Sequence, residues 1–439
     1  MSQEMLGLVL LLVLVITIFV GFPIAFTLII LAVVFGYIGL GPLVFDLMTL
    51  QTFGFMSEEV LAAVPLFVFM GYVLERSGLM ERLFRAFQLV MGPVRGSMYL
   101  VVLATATVFA AATGIIGASV TVIGLLAGPA MLKSKYDVKL AAGTITAGGT
   151  LGILIPPSVM LILMGPVMGV SVVKLYSAAI VPGLILSGIF MAYTLIRCYL
   201  NPKLGPPLPP EERATSIGQV IRELFVGIIP ATLLILFTLG SILFGLETPT
   251  EAAAMGAFGA IMLALAYRSL TWEKLKSTLF MSIETSSMIL FLGVAANVYA
   301  AVFSRLGTGM WLTETMLSWS LSGSAMILLL MVLIFILGWP LEWPAIILIF
   351  LPMLLPVVQA MDVDMVWFGI LIAVNLQTAF LSPPVAVAAY YLKGVVPQFD
   401  LGDIYVGMLQ FMGLQCIGLA IVFFFPEVVF WLPNLMAGK

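Results

Sequence analysis

Apolar residues run in long unbroken blocks along this chain and do not alternate with polar ones. The blocks cover 5–20 and 24–41, then roughly 60–76, 98–132, 138–168, 176–200, 224–245, 249–268, 283–303, 325–358, 365–391 and 403–425. A helix needs about 20 apolar residues to cross a bilayer, so continuous runs predict transmembrane helices. A membrane β-barrel would show short alternating segments instead. The first block lacks a basic leader and a small-x-small cleavage site, which predicts a retained helix and not a signal peptide. Two blocks, 98–132 and 325–358, suit neither one span nor two. They are interrupted at Thr113-Gly114 and Gly338-Trp339-Pro340, and are read as hairpins that enter and leave on one side. Blocks 138–168 and 365–391 contain Pro156-Pro157 and Pro383-Pro384. Proline removes a backbone donor and clashes with the preceding turn, so these helices should break inside the bilayer.

Composition agrees. Of 439 residues, 62% are hydrophobic and 9% charged, against about 25% charged in soluble domains. Mean hydropathy is +1.22. The chain is therefore expected to be an all-α polytopic membrane protein. Cys198 and Cys416 are the only cysteines, which excludes a disulfide scaffold, and histidine is absent. That absence removes the commonest metal ligand and general base. The net charge of −3 gives no reason to expect a nucleic-acid partner.

Charge also sets orientation. With the N-terminus outside, ten crossing blocks and two returning hairpins, fifteen of the 18 Lys and Arg fall on inner segments. Only Lys174, Arg305 and Lys439 fall outside. This is the asymmetry of the positive-inside rule. It predicts an outer N-terminus and fixes the crossings modulo two. The hydrophilic interruption Asn201–Ser216, rich in proline, reads as a cytoplasmic linker.

The linker divides the chain into 1–200 and 217–439, which share an ordered set of landmarks. At an offset of 227, Pro129 falls on Pro356, Asp137 on Asp364 and Pro156-Pro157 on Pro383-Pro384. Pro23 falls on Pro249 at 226, and Arg76-x-Gly78 on Arg305-x-Gly307 at 229. The charge pattern makes equivalent elements run in opposite directions. Two inverted halves, each with a hairpin and a broken helix, form the pattern of a secondary transporter with its site near the midplane.

Unwound backbone in hydrocarbon is tolerated only where it is buried in protein or lines a polar cavity. The two breaks and two hairpin tips therefore point to one internal site, with packed proline kinks as the structural alternative. Freed carbonyls and hydroxyl or amide oxygens suit Na⁺, and half-helix N-termini suit an anion. The cation candidates are Gly148, Gly152, Pro156, Gly338, Glu342, Asn375, Ser382 and Pro383. The substrate candidates are Gly114, Gly149, Thr150, Trp339, Gln377 and Thr378. Glu342 is an intramembrane acid, and so a functional suspect. It could bind a cation or a proton, or face a vestibule. With no histidine and few buried acids, Na⁺ coupling is favoured over H⁺.

The stretch Gly148-Gly149-Thr150-Leu151-Gly152-Ile153-Leu154-Ile155-Pro156-Pro157-Ser158 resembles the signature of the large membrane subunit of TRAP (tripartite ATP-independent periplasmic) transporters. So do Gly21-Phe22-Pro23-Ile24-Ala25, Glu247-Thr248-Pro249-Thr250-Glu251-Ala252-Ala253 and Asn375-Leu376-Gln377-Thr378. The resemblance covers the whole chain, in order. It implies an elevator-type, Na⁺-driven importer of a small organic anion in a bacterial or archaeal inner membrane. It also implies two partners, a small four-helix membrane subunit (Q) and a periplasmic substrate-binding protein (P). Many members carry two serines after the first hairpin-tip glycine, where this chain has Ile115-Ile116. Thr113 and Ser119 are the expected substitutes, Thr113 for cation and substrate alike. The resemblance implies no enzyme and no cofactor beyond Na⁺ as coupling ion. The alternatives are an H⁺-coupled or binding-protein-independent transporter of organic anions. A channel would need a continuous polar lining. An intramembrane enzyme would need a Ser/His, paired-acid or metal cluster that the spans lack.

Overall fold

A computed structural model describes residues 2–114, 116–208, 216–383 and 386–438, with the side chains of Ala112, Thr113 and Ile217 outside the described set. All regular structure among these residues is helical. The first half runs α1 (Gln3–Val20), α2 (Ile24–Leu40), α3 (Leu43–Met56), α4 (Ala63–Arg76), α5 (Leu79–Met91), α6 (Ser97–Thr113), α7 (Ile116–Lys133), α8 (Val138–Leu154), α9 (Val159–Met168) and α10 (Val172–Leu200). The second half runs α11 (Ile217–Ile235), α12 (Ser241–Leu243), α13 (Pro249–Ala266), α14 (Trp272–Arg305), α15 (Thr308–Ser318) and α16 (Gly323–Leu337). It continues with α17 (Trp343–Ala345), α18 (Leu351–Ala360), α19 (Met365–Ala379), α20 (Val387–Val395), α21 (Leu401–Phe424) and α22 (Glu427–Met436). A π-turn joins α17 to α18, so Trp343–Ala360 is one helical run. Among the described residues eight helices are long and apolar enough to cross a membrane, or up to ten if each bent pair counts as one span. The chain is a multi-pass integral membrane protein.

The boundaries follow from local chemistry. Ser2 caps α1 by accepting from Met5 N, and left-handed Gly21 ends it. Thr248 and Glu251 form a reciprocal capping box at the start of α13, satisfying two N–H groups that a helix start leaves bare. Asp137 caps α8 through Leu140 N, and Asp364 caps α19 through Val366 N and Trp367 N. These two caps lie 227 residues apart, at the offset read from the sequence. Gly78 and Gly307, at offset 229, take the same left-handed turn with φ +77° and +79°. Pro129 and Pro356 both lie inside helices. The landmarks that suggested a duplication therefore mark equivalent geometry.

Both suspected hairpins fold back on themselves. The hydroxyls of Ser97, at the start of α6, and Tyr136, just beyond α7, lie 3.3 Å apart, and Met98 N donates to the Tyr136 hydroxyl. On α8, Gly148 faces Ala106 and Gly149 faces Val120, so both arms run alongside this helix. In the second hairpin Gly323, at its start, faces Met361 at its end.

Four helices were missing from the apolar reading: α3, α5, α15 and α22. Their sequences are too polar or too short to read as spans. In α5, Leu79, Met80, Leu83, Phe84 and Ala86 are buried while Glu81, Arg82 and Arg85 share the other side. That is an amphipathic face and not a membrane crossing. The linker also carries more structure than a plain loop. Its first part is strapped to the base of the first hairpin: Gly96 N donates to Gly205 O at 2.8 Å, and the hydroxyls of Tyr99 and Tyr136 donate to Leu204 O and Pro206 O at 2.7 and 2.6 Å. Residues 209–215 lie outside the described set.

Candidate substrate and cation site

The first break is built by its own side chains. Helix α8 ends at Leu154, Ile155 turns extended, and α9 restarts at Val159, bent by 42° from α8. Ser158 caps α9 by accepting from Leu161 N at 3.4 Å, while its hydroxyl donates back to Ile153 O. The Tyr176 hydroxyl donates to Ser158 O and accepts from Ser158 N, both at 3.3 Å. In the second break, from Phe380 to Ala386, the described residues are held by hydroxyls. The Ser382 hydroxyl donates to Thr378 O, and that of Thr378 to Asn375 O, each at 2.6 Å. Hydroxyl-to-carbonyl bonds of this kind satisfy groups that the breaks free. Pro384, within the second break, lies outside the described residues.

A cavity of about 390 Å³ opens where the breaks and hairpin tips meet. The first hairpin contributes Gly114 and residues 116–118, and the first break Ile153 and Val159. The second hairpin contributes Glu342, Trp343 and Pro344, and the second break Phe380, Val387 and Tyr391. The remaining wall comes from α4 (Tyr72, Glu75) and α14 (Met281, Thr285, Met288). Tyr72 and Thr285 join across that wall, with their hydroxyls 2.9 Å apart.

The first residues of four helical segments therefore face this space: Ile116 of α7, Val159 of α9, Trp343 of the run 343–360, and Val387 of α20. A helix N-terminus carries unsatisfied N–H groups and roughly half a positive charge. Four of them offer N–H groups to an anion without a basic side chain, while the C-terminal ends of α6, α8 and α19, at Gly114, Ile153 and Phe380, bring carbonyl oxygens that suit a cation to the same space. Among the described residues the lining holds no Lys or Arg and two acids, Glu75 and Glu342. Arg76 turns to the rim, where it reaches Met281 Sδ at 2.9 Å and Lys274 O at 3.2 Å.

The sequence candidates divide into three groups. Gly114 and Glu342 line the cavity. Thr150, Asn375, Gln377, Thr378, Ser119, Ser382, Gly148, Gly149, Gly152, Pro156 and Gly338 are buried and are not part of its lining. Trp339 and Pro383 stand apart. Trp339 is 40% exposed and packs edge-on against Phe335, and Trp343 takes the cavity position instead. Pro383 is half-buried. The side chain of Thr113 lies outside the described residues.

Several glycines serve close packing. At Gly114, with φ +64°, a Cβ would stand 3.1 Å from Pro157 O, which seats the first hairpin tip on the first break. At Gly338 it would meet Ala379 Cβ at 2.9 Å, seating the second tip on the second break. Gly149 admits Val120, whose Cγ2 would lie 2.3 Å from an added Cβ. The amides behave differently. Asn375 Nδ2 donates to Met331 O at 2.7 Å, tying α19 to the second hairpin, and its Oδ1 has no partner. Sequence reasoning missed Tyr72, Glu75, Thr285, Tyr391 and Gln415. Only Gln415 carried a usable signal, as an amide in mid-span of an apolar block.

Comparison with known proteins agrees with this geometry. The profile "Tripartite ATP-independent periplasmic transporter, DctM component" matches residues 9–428. The C4-dicarboxylate TRAP transporter large permease protein DctM of Rhodobacter capsulatus is 29% identical over 406 residues, covering 89% of this chain and 90% of that one. The isethionate TRAP transporter permease protein DctMQ of Oleidesulfovibrio alaskensis is 31% identical over 379 residues, covering 86% of this chain and 58% of that one. Among solved structures, the YdaH transporter of Alcanivorax borkumensis superposes with a TM-score of 0.62 at 16% identity, over 87% of this chain and 88% of that one, a likeness of fold alone. With a family match from end to end and a fold of matched hairpins and broken helices, this chain belongs to the DctM family, the large membrane component of tripartite ATP-independent periplasmic transporters.

Proposed function

We propose that this protein imports a small organic anion, a carboxylate or sulfonate, together with Na⁺, by an elevator movement of the hairpins and broken helices against the remaining helices. The observation that carries the reading is the convergence of four helix N-termini on one cavity without a basic side chain among its described lining. Fixed dipoles attract an anion, and the freed carbonyls and hydroxyl oxygens of the breaks offer hard oxygen ligands to cations. Glu342 adds a carboxylate on the cavity wall. Relatives named for a C4-dicarboxylate and for isethionate support the substrate class.

A periplasmic binding protein delivers the anion, and a small four-helix membrane subunit completes the complex. The relative called DctMQ, which extends well beyond the aligned region, supports this second partner. The complex sits in a bacterial or archaeal inner membrane with the N-terminus of this chain outside. The inward bias of Lys and Arg supports that orientation.

The test is uptake of radiolabelled organic acids by proteoliposomes holding this chain with its small subunit, in the presence of the binding protein. Uptake should follow an imposed inward Na⁺ gradient and stop when the gradient is collapsed. Uptake indifferent to Na⁺ but driven by a proton gradient would establish the proton-coupled reading, which the two cavity acids favour. Flux without either gradient would indicate a pore.

A further inference from the structure

Behind the cavity lies a polar contact between equivalent positions of the two halves. Thr150 and Gln377 are 227 residues apart, which is the offset that aligns the caps of α8 and α19. They touch: Thr150 Oγ1 lies 3.2 Å from Gln377 Oε1, and its single proton is shared between that oxygen and its own helix's Ala147 O at 2.8 Å. Equivalent residues meet only on the axis that relates their repeats, so this contact marks the internal two-fold. A third side chain completes it. Gln415, on α21, donates from Nε2 to Thr150 Oγ1 at 3.1 Å. Thr150, Gln377 and Gln415 are each 0% exposed.

The contact requires helices that almost touch. At Gly407 a Cβ would stand 2.0 Å from Lys139 O, and at Gly143 it would stand 2.6 Å from Gly407 O. Thr150 lies seven residues beyond Gly143, and Gln415 eight beyond Gly407, so both return to this interface two turns further on. The backbones are held at glycine distance, and the amide then reaches the hydroxyl. At the aligned offset the first half has Gly188 where the second has Gln415, so the third member has no repeat counterpart.

The amides are only half satisfied. Gln415 Oε1 and Gln377 Nε2 are buried without partners. Bare buried polar atoms disfavour a fold, and an apolar side chain would pack here without that cost. An arrangement that joins both broken helices and leaves two amide ends bare is suited to relaying a change, because a shift at either break alters which bonds the hydroxyl makes.

We propose that Gln415 is a positioning residue: through Thr150 it locks the broken helices α8 and α19 into one register, so that occupation of one break is felt at the other. The inference rests on the transport reading above. The test uses proteoliposomes of the whole complex and measures the half-saturating Na⁺ concentration and the Hill coefficient of uptake. Gln415→Met, of similar length but without the amide, should raise half-saturation about fivefold or more and bring the Hill coefficient toward one. Thr150→Val should do the same, and Thr150→Ser, which keeps the hydroxyl, should behave as wild type. The double variant Gln415→Met with Thr150→Val should be no worse than either alone, because both remove one bridge. Should Gln415→Met fail to insert, the threonine pair carries the test.

Wild-type half-saturation and cooperativity in Gln415→Met or Thr150→Val would overturn the proposal, as would a double variant showing the product of the two shifts. Wild-type uptake indifferent to Na⁺ would end the sodium reading alone. The same variants would then be read through the half-saturating anion concentration, with the same shift expected.

Discussion

The two halves of this molecule share a frame and differ in chemistry. Residues 43–76 and 272–305 occupy equivalent places at offset 229, yet the first is bent by 60° between α3 and α4 while the second is the single 34-residue helix α14. Pro65 sits in the first turn of α4, where its missing donor is tolerated, and Val294 takes the aligned place in α14. The breaks differ likewise. The first is sealed by Ser158 and Tyr176, and its glycines are filled by Ala106 and Val120. The second carries Asn375 and Gln377, and each of these amides keeps one buried atom without a partner. The caps and turns that place a break recur in both halves. The side chains diverged so that one break mainly packs while the other keeps polar capacity in hand.

If that contrast is sound, substitutions at the packed glycines of the first break should act on stability and those at the amides of the second on ligand response. The largest effect is expected for Gly149→Leu. Its Cβ would stand 2.3 Å from Val120 Cγ2 and 3.2 Å from Val120 N, and backbone cannot move aside cheaply. Overpacking of this kind costs about 1–3 kcal/mol or more. The yield of inserted protein and its melting temperature in detergent should both fall, and a variant as stable as wild type would refute the packing role.

Asn375→Ala should give a smaller but different effect. It removes the 2.7 Å bond to Met331 O and a bare buried oxygen together, so stability should change by less than about 1.5 kcal/mol. Uptake at limiting Na⁺ should fall about tenfold, a change of ~1.4 kcal/mol in ligand response. Equal losses of stability in Asn375→Ala and Gly149→Leu would erase the contrast between the breaks. Trp339→Leu should do least. Its ring is partly exposed and off the cavity, so uptake should stay within about twofold of wild type, as for most exposed substitutions. A large loss of anion affinity would return Trp339 to the site.

Much of this was legible from residue order. Long apolar blocks announced the spans, and paired prolines announced the breaks. The repeated Asp137 and Asp364 announced the offset, since each cap acts on N–H groups two or three residues away. Amphipathic helices such as α5 escaped because their apolar residues recur at helical spacing and not in blocks. The cavity wall escaped for another reason. Tyr72 and Thr285 are 213 residues apart, and no local pattern connects them. Trp339 and Trp343 look alike in sequence, one turn apart, and the bend at the hairpin tip decides which ring meets the cavity.

The sequence by itself therefore determined the solvent of this protein, its long apolar helices, its two interruptions and their kinship. Each of these follows from hydropathy, missing donors and caps acting within a few residues. Tertiary structure alone decided that four helix ends share one space, that Thr150 meets Gln377, and that Gln415 closes on them. Those contacts depend on how closely helices approach, which the glycines of α8 and α21 permit and only their packing realises.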